Sequence, residues 1–172
     1  FQRAETLAEI GDELGAFNTL VLSHPDDKRA VWAARSAFLT VIEADTEHLD
    51  EMDVVVPVDK VAEFLEHVHQ IGEKYGVGIR SFGHAGDGNL HPTFLCDKRD
   101  KEEFARVEAA VDEMFDVAIS LHGTLSGEHG IGTAKARWLE KETSRGTILF
   151  SQRLRRALDP KGLLNPTKLV GI

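Results

Sequence analysis

Apolar residues recur at helical spacing from the start of the chain. "AETLAEIGDEL", residues 4–14, places Leu7, Ile10 and Leu14 on one face, and Gly15 follows as a stop. The next apolar run, "NTLVLS", predicts a strand. "SHPDDKRAVWAARSAFLTVIEA" returns to the helical period: Val31, Phe38 and Ile42 mark its apolar face, and Pro25, Asp26 and Asp27 suit a first turn. After the acidic turn "DTEHLDE", the β-branched run "MDVVVPVDK" predicts a strand that Pro57 ends or confines to an edge. Asp59 is placed to cap the helix "KVAEFLEHVHQIGEKYG", where Val61, Phe64, Leu65, Val68 and Ile71 share a face and Gly76 is the stop.

Two more strands, "VGIRSFGH" and "LHPTFLCD", flank a glycine-rich loop. A long helix is expected from about Lys101 to Leu121, with Phe104, Val107, Val111, Met114, Phe115 and Ala118 inward. A second glycine cluster, "HGTLSGEHGIG", leads into "TAKARWLEKE", read as another helix, and the final stretch reads as a helix closed by Asp159 and Pro160, then an extended tail. The hairpin-like link between the central strands points to an α+β class: an antiparallel sheet with helices on one face, as in a ferredoxin-like cap, followed by a helical C-terminal segment. The expected division is a cap domain over 1–125 and a more basic, glycine-rich segment over 126–172 that packs elsewhere.

Composition narrows the partners. The net charge of −9, with no basic stripe, argues against nucleic acid and anionic membrane, so an anionic ligand needs local positive groups. No run approaches the roughly 20 apolar residues of a membrane helix, and the acidic, amphipathic start is unlike a signal peptide. Cys96 is the single cysteine, which rules out an intramolecular disulfide, favours a cytoplasmic setting and reads as a small buried hydrophobe. The chain opens on Phe1 in mid-pattern, which is expected of a piece of a longer protein.

The candidate chemistry lies in the two glycine clusters. In "SFGHAGDGNLHPTF" the spacing of Gly83, Gly86 and Gly88 reverses the dinucleotide fingerprint, and a strand follows where a phosphate site needs a helix N-terminus. In an unbroken strand His84 and His91 would lie on opposite faces and about 23 Å apart. The glycines and Asn89 allow a reversal that brings both imidazoles together, half of a metal site. "SGEHG" can supply the rest: Glu128 and His129, adjacent at the start of a helix, point about 100° apart, one as ligand and one as base. Two histidines and a carboxylate leave a cation open positions. The plainer alternative makes the histidines turn residues and Ser126 or Glu128 a helix cap. His67 and His69, two apart on a helix, read as surface residues; His24 and His48 read as solvated, and His122, just before the second cluster, is at most an outer partner of it.

"GHAGDGNLHP", "GTLSGEHGIG" and "DPKGLLNPTKLV" resemble, in order and spacing, the C-terminal domain of the FAD-linked oxidases of the vanillyl-alcohol oxidase type, in the branch of D-lactate dehydrogenases, glycolate oxidase D subunits and D-2-hydroxyglutarate dehydrogenases. The resemblance covers nearly the whole chain. It implies that an FAD-binding domain in the same full-length chain is capped by this one, with an electron acceptor left unassigned. It further implies that His84, His91 and Glu128 hold a divalent metal, usually zinc, that His129 is the base, that Arg35 in "VWAARSAF" pairs with the substrate carboxylate, and that Asn165 lies near the flavin. By its own sequence Arg35 is a surface helix residue, and Asn165 a turn residue before Pro166. The implied reaction oxidises a 2-hydroxy acid to the 2-oxo acid. Two departures bear on the substrate: Glu51 stands where hydroxyglutarate enzymes carry a lysine, and His91, Pro92, Thr93 stand where they have "HLN". A carboxylate at Glu51 would repel a second substrate carboxylate, which favours lactate or glycolate. The rival readings are a non-catalytic metal- or ligand-binding module and a metal-dependent hydrolase with Glu128 as base.

Overall fold

The first apolar face folds as helix α1 (Gln2–Glu13), and Gly15 leaves it in the left-handed region at φ 84°. The computed structural model describes residues 2–44 and 48–168, and its contacts form two units, residues 1–42 and 43–172. In the first unit, His24 caps helix α2 (Pro25–Ser36) by accepting the Asp26 N–H on Nδ1 at 3.2 Å, with Pro25 in the first turn. A turn at Ala37 separates α2 from α3 (Phe38–Ala44), so the single expected helix is two. The strand expected at "NTLVLS" does not form. Residues 18–23 are irregular, with Leu20 and Val21 exposed, because a strand needs a neighbour's ladder and none pairs with it among the described residues. Val31 and Phe38 are also exposed, while Ile42 is buried.

The second unit is built on one long antiparallel pairing. Strands β1 (His48–Glu51) and β2 (Val54–Val55) pair with the same partner in one continuous register, from His48 opposite Cys96 to Val54 opposite Leu90. β1 takes up residues that the pattern reads as acidic turn; positions 45–47 and the side chain of His48 lie outside the described residues. The interruption falls opposite Pro92. Met52 donates its N–H to the Pro92 carbonyl at 2.9 Å, and Pro92 has no N–H to return.

After a 3₁₀ turn over Val58–Lys60 comes helix α4 (Val61–Tyr75), closed by Gly76 at φ 62°. Asp59 lies inside that turn and does not cap α4, whose N-cap position is Lys60. Strands β3 (Gly78–His84) and β4 (Asn89–Cys96) form a hairpin, and helix α5 (Lys101–Ser120) begins at Asp100, whose carboxylate accepts the Glu102 and Glu103 N–H groups. Beyond α5, Thr124 exchanges both backbone hydrogen bonds with Val55. The order is thus βαββαβ, the last strand reduced to one bridge, as in a ferredoxin-like layout.

Strand alternation divides the sheet's two faces. Met52, Val54, Val56, Leu90, Phe94 and Cys96 are buried in one core with Phe64, Val68 and Ile71 of α4 and Val107, Val111, Met114 and Phe115 of α5. The intervening positions, Glu51, Asp53, Asn89, His91 and Thr93, fall on the other face. Trp138 closes the core, packing on the Phe115 ring at 4.8 Å and donating Nε1–H to Asp112 at 2.7 Å.

The stretch "TAKARWLEKE" is not one helix. A 3₁₀ turn covers Ala136–Trp138, and α6 spans Leu139–Glu142. Helix α7 (Arg145–Leu158) starts at a Ser144 cap, and Asp159 accepts the Leu163 and Leu164 N–H groups beyond its end. Among the described residues no helix is long and apolar enough to cross a membrane.

Candidate active site

The polar face of the sheet carries the cluster, and the β3–β4 hairpin assembles it. Pairing places His84 opposite Asn89 and Phe82 opposite His91, so both histidines share a face despite their odd spacing. Four residues make the reversal. The His84 carbonyl accepts the Asp87 and Gly88 N–H groups, and the Asp87 carboxylate accepts the Asn89 N–H at 3.0 Å. Gly88 is required there: its φ is 79°, a Cβ would strike the Val56 carbonyl, and its own carbonyl accepts the Val56 N–H at 3.1 Å.

The second glycine cluster lies over the same face, but not as a helix start. Residues 126–130 form an irregular loop whose N–H groups turn onto Asp53. Its Oδ2 accepts from the Ser126 hydroxyl at 2.6 Å and from the N–H groups of Gly127, Glu128 and His129 at 3.0, 3.2 and 2.9 Å. Lys135 reaches the same point, its Nζ 3.3 Å from Asp53 Oδ2, 2.7 Å from the Asp53 carbonyl and 2.8 Å from the Leu125 carbonyl. Both side chains are buried. Burial alone would raise the Asp53 carboxyl, but the Ser126 hydroxyl, the His129 N–H and the Lys135 charge outweigh it and hold Asp53 well below the usual carboxylate range. Burial lowers Lys135, against the opposing pull of Asp53. The pair is therefore asymmetric: many donors fix the anion, while the cation rests on the Asp53 charge first, with the Asp53 and Leu125 carbonyls and the Glu142 charge behind it.

Held in this way, Glu128 presents Oε1 to both histidines, 3.2 Å from His91 Nε2 and 3.7 Å from His84 Nε2. The His91 side chain is only 6% exposed, His84 is 42% exposed, and their rings meet edge to face at 5.7 Å. His129 stacks on His91 at 5.2 Å, with Nε2 3.8 Å from Glu51 Oε1. Two donor groups result, His84–His91–Glu128 and Glu51–His91–His129, with the donor atoms of each within 4.8 Å of one another.

The first group suits a divalent cation. Tetrahedral bonds of about 2.0–2.1 Å place ligand atoms about 3.4 Å apart, and the two distances to Glu128 bracket that value. His91 Nδ1 is buried and has no hydrogen-bond partner among the described residues, and the rings of Phe82 and His129 pack on this imidazole at 5.3 and 5.2 Å.

The structure therefore brings together His84, His91, Glu128 and His129, four of the six residues singled out by sequence. Arg35 lies in the first unit, exposed on α2, with its guanidinium 5.5 Å from the Trp32 ring centre. Asn165 belongs to a different cavity, lined also by Leu154, Leu158 and Leu164, and its carbonyl accepts from Arg155. His122 is an exposed turn residue at φ 64°, in neither donor group. His69 is exposed and His67 partly buried on α4, and His24 is an exposed cap. Sequence reasoning missed Asp53 and Lys135, although a lone aspartate within an apolar strand run was a visible signal.

Comparison with known proteins identifies the family. The family described as FAD linked oxidases, C-terminal domain, matches residues 1–169. The chain belongs to this family. Its relatives include the D-lactate dehydrogenase of Anaerostipes hadrus, 39% identical over 166 residues, which are 96% of this chain and 35% of the relative. The glycolate oxidase subunit GlcD of Bacillus subtilis (strain 168) is 36% identical over 168 residues, 98% of this chain and 35% of the relative. A D-lactate dehydrogenase of Archaeoglobus fulgidus is 31% identical over 170 residues, 99% of this chain and 37% of the relative. The chain thus spans roughly a third of the length of these curated relatives. As a C-terminal domain of an FAD linked oxidase, it carries its histidine cluster on the sheet face opposite the helices α4 and α5.

Proposed function

We propose that this domain binds substrate and a metal in an FAD-dependent 2-hydroxy acid dehydrogenase that oxidises D-lactate or glycolate to the 2-oxo acid. One observation carries the reading: a base candidate, His129, lies directly beside a ready three-donor group, His84, His91 and Glu128. The names of the relatives, a D-lactate dehydrogenase and a glycolate oxidase subunit, support the substrate class.

FAD, bound mainly by a domain elsewhere in the full-length protein, supplies the hydride acceptor, and a divalent cation, zinc in the first instance, supplies Lewis acidity at the substrate hydroxyl. His84, His91 and Glu128 hold that cation. His129 takes the hydroxyl proton on Nε2, where Glu51 at 3.8 Å stabilises the imidazolium that forms. Arg35 fixes the substrate carboxylate through its planar fork. The Glu51 carboxylate disfavours substrates with a second acid group, which points to monocarboxylates. Residues 126–172, with Asn165 toward the flavin, pack against the FAD-binding domain.

The test is anaerobic flavin reduction in the complete protein, followed by absorbance after adding D-lactate or glycolate. His129→Ala is expected to slow reduction by about 10²-fold or more, the usual contribution of a positioned base. Reduction at the wild-type rate in that variant, or none by either acid in the wild type, overturns the reading.

A further inference from the structure

The loop that delivers Glu128 and His129 has little structure of its own. Residues 126–130 include two glycines, lie outside helix and strand, and are partly or fully exposed. Such a segment samples many conformations, and each must be excluded before two side chains can be aimed at once. What restricts it here lies beneath it, in the sheet.

Asp53 sits on β4's polar side, directly opposite His91 in the continuous register, and is fully buried. Its Oδ2 collects the three consecutive N–H groups of Gly127, Glu128 and His129 together with the Ser126 hydroxyl, while the Ser126 Oγ in turn accepts the Gly130 N–H at 2.7 Å. Three successive amides converging on one anion define the path of the backbone between them, the geometry of an anion-binding nest filled by the protein's own carboxylate. Lys135 balances the buried charge and ties the Leu125 carbonyl, just before the loop, to the Asp53 carbonyl. A second restraint acts from above the strand: a Cβ at Gly127 would strike the Asn89 amide, so the loop lies flat against β4.

We propose that Asp53, with Lys135 as its counter-charge, is a positioning residue that sets the Ser126–Gly130 loop in its ligand-presenting shape before any cation binds, and thereby sets the cation affinity at His84, His91 and Glu128. The proposal rests on the metal reading given above. An amide at position 53 keeps the size of the side chain but turns an NH₂ group or a single weaker acceptor toward amide donors, and leaves Lys135 without its charge partner. The helical core packs on the opposite face of the sheet and is not part of this contact.

The experiment uses the complete, metal-stripped protein in wild-type, Asp53→Asn, Ser126→Ala and Ser126→Thr forms, with two readouts: amide hydrogen–deuterium exchange and titration with Co²⁺ followed by its visible absorption. In Asp53→Asn, exchange at residues 127–130 is expected to accelerate while α5 keeps its protection, and Co²⁺ affinity is expected to fall about 10- to 100-fold, as for lost outer partners of a metal site. Ser126→Ala weakens Co²⁺ binding and Ser126→Thr restores it, since Thr retains the hydroxyl. Should Asp53→Asn not fold, this serine pair decides, and equal affinity in both overturns the proposal. Wild-type affinity in a folded Asp53→Asn overturns it as well, and so does exchange that accelerates equally through α5, which marks a general loss of stability. A wild type that binds no Co²⁺ brings down the metal reading and this proposal together, an outcome distinguished by appearing before any substitution is made.

Discussion

His91 Nε2 lies 3.2 Å from Glu128 Oε1, although the whole of α5 separates strand from loop along the chain. One partner is buried in the sheet and the other is half exposed. The contact joins a sheet residue to a residue of the Ser126–Gly130 loop.

The two histidines should respond differently to removal. His84 is exposed and contributes little packing, so His84→Ala should lose metal while its melting temperature stays close to wild type. The loss of affinity should exceed the about 10- to 100-fold typical of an outer partner. His91→Ala should lose metal and stability together, because it also empties a buried site packed by Phe82 and His129. Elemental mass spectrometry and thermal melts on both variants check this, and full metal content in either one contradicts the ligand set.

The hairpin glycines should not be equivalent. A Cβ at Gly86 meets nothing within 4 Å, whereas at Gly88 it meets the Val56 carbonyl and the backbone is at φ 79°. Gly86→Ala should therefore leave stability within about 0.5 kcal/mol of wild type. Gly88→Ala should cost on the order of 1–3 kcal/mol and spread His84 from His91. Urea denaturation of the two variants decides, and equal midpoints would refute the close approach.

Asp53 sets an acid limit. Its carboxyl lies below the value of an unfolded aspartate, about 3.9, so between the two the unfolded chain binds more protons. The stability it contributes is fully present above that unfolded value and is lost as pH falls toward the lower, folded one. Asp53→Asn, if folded, should be less stable at neutral pH and show a shallower decline below about pH 4. Denaturation midpoints across pH 2–7 test the sign, and parallel acid limbs would show that the group is not an anion in the fold.

Arg35 should act on substrate and not on the fold. It is exposed and rests beside Trp32, so Arg35→Ala should leave the melting temperature unchanged. Loss of a charge-assisted carboxylate contact of about 1.5–3 kcal/mol should raise KM for the hydroxy acid about 10- to 100-fold in the complete protein. Unchanged steady-state kinetics would remove Arg35 from the site.

The sequence by itself determined the periodic elements, the two glycine clusters and the residue types at the site. Helix α5, helix α4 with its Gly76 stop, and the β3–β4 hairpin are legible because side-chain period and turn residues act within a few positions of the chain. His84, His91, Glu128 and His129 were legible as chemistry for the same reason. Only the tertiary structure decided what needs a distant partner. "NTLVLS" has strand composition but no neighbouring ladder among the described residues, so it stays irregular. "SGEHG" looks like a helix start, yet its amides are satisfied by a carboxylate from β1 and β2's junction, so it remains a loop. Asp53 and Lys135 meet across the fold, and nothing near either one in the chain names the other. Burial makes their pairing obligatory, and burial is a property of the packed chain that no local stretch carries.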